Sequence, residues 1–205
     1  MRDQQYYPQY ARTEPRSGGK HWIGVLLGLL VLAVILGGWA ASKYNILQTK
    51  RENVRVRWSD IDSQLQRRTD LIPNLVNTVK GYTKHEEKVF GDVAAARSRL
   101  LSAQTPVDKA AANDQLTGAL GRLLALSENY PNLKADSQFK NLQFELAGTE
   151  NRINVARTDY NQAVFDYNTT LQRFPTLVIA RLLGFQRADP FKAAEGAREV
   201  PQVSF

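Results

Sequence analysis

Between Lys20 and Lys43 the chain carries no Asp, Glu, Lys or Arg, and the run Trp22–Ala41, WIGVLLGLLVLAVILGGWAA, is apolar on every face. At about 1.5 Å rise per residue such a run spans the roughly 30 Å hydrocarbon core of a bilayer. It is longer than the ~7–15 apolar residues of a signal peptide, and Trp22 and Trp39 stand near its ends, where indole rings favour the membrane interface. The pattern predicts a retained anchor over 21–43. Inside it, Gly24 and Gly28 form a GxxxG pair, a weak signal for self-association of crossing helices.

The remaining apolar positions recur at helical spacing. Leu47, Val54, Trp58, Ile61 and Leu65 form one stripe. Asp70-Leu71-Ile72-Pro73 is expected to interrupt it, with Asp70 as the N-cap of a second helix and Pro73 in that helix's first turn. The second helix carries Leu75, Val79, Tyr82, Val89, Val93, Ala96 and Leu100, and ends before Pro106. A third, from about 107 to 129, uses Leu116, Leu120, Leu123 and Tyr130, with Pro131 closing it. The fourth, 137–173, is the most regular: Phe139, Leu142, Leu146, Ile153, Ala156, Tyr160, Val164, Tyr167, Leu171 and Phe174. No window alternates as a strand does. The fold class is all-α: a transmembrane helix followed by an antiparallel, up-and-down bundle of about four long helices over 44–174.

The ends differ in character. Residues 1–20 mix Gln, Tyr, Pro, Gly and charge without apolar periodicity, which predicts a disordered tail. Residues 175–205 open on a short apolar stretch in which Leu177, Ile179, Leu182, Leu183 and Phe185 surround Arg181. It is too short to cross a bilayer. Three roles stay open: a cap on the bundle, an element in the membrane interface, or a contact with another subunit.

Charge narrows the partners. The net charge is +7, but residues 1–50 hold six Lys/Arg against two acids, and 51–205 hold 21 against 18. The soluble part is nearly balanced, with no dense basic stripe for nucleic acid. The juxtamembrane cations suit anionic headgroups. Their distribution across the anchor is equivocal for orientation: Arg12, Arg16 and Lys20 precede it, and Lys43, Lys50, Arg51, Arg55 and Arg57 follow. Resemblance of the basic start to an uncleaved export signal tips the reading to an extracytoplasmic bundle.

Candidate chemistry is sparse. The absence of cysteine excludes disulfides, thiol catalysis and Cys-ligated metals. His85-Glu86-Glu87 lacks the second histidine of a zinc protease motif, and neither a phosphate-binding loop nor a nucleophile elbow occurs. The sequence therefore predicts no catalytic residue, metal, cofactor or small-molecule substrate. One cluster stands out: Arg67 and Arg68 before Asp70, Pro73 and Asn74. Its functional reading is an anion or headgroup site. The structural reading, which is favoured, pairs one arginine with a carboxylate on the fourth helix such as Glu150, because a proline inside a bundle needs its freed backbone groups satisfied.

These residues resemble the LemA family. The resemblance rests on Trp58-Ser59-Asp60-Ile61, on Gln64-Leu65-Gln66-Arg67-Arg68-Thr69-Asp70-Leu71-Ile72-Pro73-Asn74-Leu75-Val76, and on Val79-Lys80-Gly81-Tyr82 with His85-Glu86. Glu150-Asn151-Arg152-Ile153, Tyr160-Asn161, Tyr167-Asn168, Phe174-Pro175 and the closing Pro201-Gln202-Val203-Ser204-Phe205 agree with it. The resemblance implies a bacterial inner-membrane protein with one N-terminal anchor, a bundle of long helices and no established enzymatic activity; one branch is associated with magnetosome membranes. The function expected is a membrane-anchored scaffold that self-associates as a homo-oligomer or presents a helical surface to other membrane proteins. The alternative is a protein that contacts membrane lipid and organises or remodels the membrane.

Overall fold

A computed structural model describes residues 20–83 and 85–192, with backbone alone at 20 and 21. The disordered tail expected over 1–20 and the Pro201–Phe205 motif thus fall outside the described residues, apart from the backbone of Lys20. Among the described residues six α-helices follow in order: α1 (Lys20–Lys80), α2 (Glu87–Ser102), α3 (Pro106–Ala125), α4 (Pro131–Ala135), α5 (Ser137–Gln172) and α6 (Thr176–Leu182). A single 3₁₀ turn, Leu126–Glu128, lies between α3 and α4, and there is no strand among the described residues. The chain divides into two units at Ser42 and Lys43.

The first unit holds the apolar part of α1, long and apolar enough to cross a membrane, with a mean hydropathy of 2.5 in its best window. Its large side chains from Trp22 to Leu36 are all exposed. Within lipid that is the favourable state, since every backbone group is already bonded inside the helix.

The second unit is a bundle whose topology can be read from its cross-contacts. Between α1 and α5 the numbers run in opposite senses: Arg57 to Asp159, Gln64 to Arg152, Arg67 to Glu145. They also oppose between α1 and α2, where Thr69 meets Arg97 and Lys80 meets Phe90. They oppose again between α2 and α3, where Asp92 meets Arg122 and Arg99 meets Gln115. Between α1 and α3 they rise together, with Asp62 on Lys109 and Arg68 on Asn113. This is an up-down-up-down four-helix arrangement.

The core is built from heptad-like stripes. On α1, Leu47, Val54, Ile61, Leu65, Ile72, Leu75 and Val79 are buried; on α5, Phe139, Leu146, Ile153, Tyr160, Val164, Tyr167 and Leu171. Asp136 caps α5, its side chain accepting from the Phe139 amide at 2.7 Å and from the Tyr82 hydroxyl at 2.9 Å. Both bonds favour the carboxylate and hold its pKa below the ordinary value.

The interruption expected at Asp70–Pro73 is absent. α1 runs through Pro73, and Asp70 is not a cap but a surface acceptor for Gln66 Nε2 at 2.9 Å. The chain turns instead at Gly81–Glu86, where the buried Thr83 hydroxyl donates to the Val79 carbonyl. Leu75 and Val79 therefore extend the first stripe rather than opening a second. Two compensations permit this. Pro73 is on the exposed side, and the carbonyl its missing amide would have bonded, that of Thr69, accepts from Arg97 Nε at 2.9 Å.

Candidate functional site

Arg68 occupies a seam position of α1, three residues after Leu65 and four before Ile72, and only 4% of it is exposed. Its Nη1 donates to Asn113 Oδ1 on α3 at 2.7 Å and stands 2.5 Å from Glu150 Oε2 on α5. The second contact is an ion pair, and Arg68 Nε has no acceptor among the described residues. Burial lowers the guanidinium pKa, while the charges of Glu150 and Asp114 oppose the shift. A buried guanidinium tied to two other helices fixes which heptads face one another, the best-attested use of such groups.

Its neighbours lie elsewhere. Arg67 points outward to Glu145, 2.9 Å away. Asp70, Pro73 and Asn74 are exposed, and the Asn74 carbonyl accepts from Thr78 Oγ1 at 2.9 Å. The structure thus brings Arg68 and Glu150 together and leaves the other four on the surface. His85 is exposed, and no group of three metal-ligating side chains gathers among the described residues. Gly24 and Gly28 are exposed, with no atom within 4 Å of where a Cβ would stand.

The segment after α5 turns one side to the bundle and the other to solvent. Thr176, Ile179 and Ala180 are buried and Leu177 is half-buried, so α6 covers one end of the core. Phe185 is half-buried and meets Tyr44 edge-on, with centroids 5.9 Å apart. Leu182 and Leu183 face solvent.

Sequence reasoning missed what comes next. Residues 186–191 run extended along α5, held by two Tyr-Asn pairs seven residues apart. Tyr167 donates to the Gln186 carbonyl at 2.9 Å and Tyr160 to that of Asp189 at 2.8 Å. Asn168 bonds both the amide and the carbonyl of Ala188, and Asn161 does the same for Phe191. Each carboxamide thereby acts as a short piece of neighbouring strand. Phe191 is buried and its ring lies 6.2 Å from that of Trp58, which also packs on Tyr160 at 5.5 Å. Burial, with the Asp189 charge, pushes the Tyr160 pKa up to about 12. The heptad repeat of Tyr-Asn was visible in the sequence; its partner segment was not.

Beside this segment lies a cavity of about 780 Å³, lined in part by Arg51, Arg55, Trp58, Tyr167 and Arg187. Glu52 is its one lining carboxylate among the described residues, and it pairs with Arg55 at 2.6 Å.

A helix long and apolar enough to cross a membrane and, in a separate unit, an all-α bundle are the marks of a membrane-associated helical-bundle protein. The chain belongs to the LemA family, whose model matches residues 57–205. It is 26% identical to magnetosome protein MamQ 2 of Paramagnetospirillum magneticum, over 87% of this chain and 75% of the relative. Magnetosome protein MamQ of Magnetospirillum gryphiswaldense is 24% identical, over 86% and 75%. Protein LemA of Metamycoplasma hominis is 22% identical, over 87% and 82%.

Proposed function

We propose that this chain is a non-catalytic, membrane-anchored scaffold that pairs with a second copy of itself and presents helical surface to other membrane proteins. Its relatives include magnetosome proteins, which supports work at a membrane. The observation that carries the reading is on the outside of α5. Phe144, Ala147, Asn151, Val155, Thr158, Gln162 and Phe165 form a second stripe at three- and four-residue spacing, all exposed and all uncharged. Phe144, Val155 and Phe165 are 76%, 65% and 64% exposed. The stripe extends over about 32 Å of helix in a chain whose residues are 23% charged.

A face without charge is complementary to its own copy, because pairing buries no like charges. Two copies anchored in one membrane enter it in the same sense, which favours parallel α5 helices with equivalent residues opposed. Asn151 is then placed as polar seam residues are in parallel dimers, where they select register. The shared membrane also raises the effective concentration of the partner.

The absence of native cysteine makes the test direct. Val155→Cys in the full chain, oxidised in native membranes, should give a disulfide-linked dimer, whereas Asp70→Cys on the other exposed side should not. Equal cross-linking at the two positions, or none at Val155 with a monomeric mass in native mass spectrometry, rejects self-association.

A further inference from the structure

The inner side of α6 is occupied by the bundle, and its outer side is not. Phe174, Val178, Leu182 and Leu183 are 82%, 57%, 82% and 52% exposed, a cluster of large apolar groups on a seven-residue helix and its two flanks. Cations surround it: Arg173, Arg181 and Arg187 are exposed. Arg187 shares the 780 Å³ cavity with Arg51, and neither has a carboxylate at ion-pair distance among the described residues. A second copy placed here would bring these arginines against one another. An anionic lipid surface accepts both components, apolar side chains at the headgroup boundary and guanidinium groups on phosphate.

Position along the chain supplies the occupant. Phe185, two residues past Leu183, packs on Tyr44. Tyr44 stands three residues after Ala41, where the apolar run ends, and three residues reach at most about 11 Å. The chain therefore holds Tyr44 within that distance of the end of the spanning segment.

We propose that α6 and its flanks dock on the anionic surface of the bilayer that the chain's own apolar segment enters, with Leu182 and its neighbours in the headgroup boundary and Arg51, Arg181 and Arg187 on lipid phosphate. This is a lipid contact additional to the anchor, and it stands whether or not two copies pair through α5.

The test uses the full chain in nanodiscs, one copy per disc. Leu182→Cys carries an environment-sensitive fluorophore, and the lipid carries a headgroup-level quencher. Gln138→Cys, exposed near the opposite end of α5, is the control. In discs containing phosphatidylglycerol the Leu182 probe should be quenched strongly and the Gln138 probe should not. In pure phosphatidylcholine the quenching should fall. Arg181→Gln and Arg187→Gln should each lower the ratio of docked to undocked chains roughly fivefold. Quenching at Leu182 no greater than at Gln138 overturns the proposal, as does quenching equal in neutral and anionic discs. Unquenched Leu182 with ready disulfide formation between unlabelled Leu182→Cys chains assigns the patch to a second copy instead.

Discussion

Arg97 reaches from α2 to the one carbonyl of α1 that Pro73 leaves without its helical amide. Losing that donor should cost about 1–3 kcal/mol, the usual penalty for a buried acceptor with no partner. In a Pro73→Ala background the amide of residue 73 returns, and the Arg97→Met penalty should fall below about 1 kcal/mol. Chemical denaturation of the four chains in one detergent measures the coupling. Purely additive costs show that the carbonyl has another donor and that Arg97 does not license the proline.

Tyr160 gives a second prediction at this scale. Its folded pKa is raised to about 12 from the ordinary 10.0, so its contribution to stability is complete below pH 10 and lost as pH rises through 12. Tyrosinate absorbance of the folded chain should show one group titrating near 12 that Tyr160→Phe removes. Complete titration of the folded chain by pH 11 contradicts this.

At the scale of elements, α5 serves three faces with one 36-residue helix: a core stripe, an uncharged outer stripe, and a row of tyrosine and asparagine that holds the segment 186–191. Asn168→Ala removes two bonds and leaves the Ala188 amide and carbonyl unpaired, at a cost of about 1–3 kcal/mol. The effect should be local. Hydrogen exchange of residues 186–191 should accelerate while the amides of α5 keep their protection, since such segments open separately from the core. Uniform acceleration across the bundle argues that the segment belongs to the cooperative core. The extent of α5 was legible beforehand because its three/four periodicity is almost unbroken from end to end. The end of α1 was not, because a proline preceded by an aspartate reads locally as a helix start. The signal against that reading was the stripe itself, which continues from Leu65 through Arg68, Ile72 and Leu75 without a phase change.

For the whole molecule the prediction concerns orientation, and it rests on the basic start of the chain ahead of the apolar run. We expect the bundle to be extracytoplasmic. An alkaline phosphatase fusion at the C-terminus should be active and a green fluorescent fusion dark; the reverse result places the bundle in the cytoplasm.

The sequence by itself determined the membrane segment, the all-α class and the family, because each depends on local or periodic composition: a charge-free run of spanning length, repeated apolar spacing, and a contiguous motif. Tertiary structure alone decided which charged residues are buried and what they meet. Arg67 and Arg68 are adjacent and chemically identical, yet one faces water and the other lies between three helices, since successive residues on a helix point about 100° apart. It also decided the fate of the C-terminal segment. Asn161 and Asn168 have polar side chains that any helix surface would tolerate; only the path of the chain after α6 brings unpaired backbone groups alongside them.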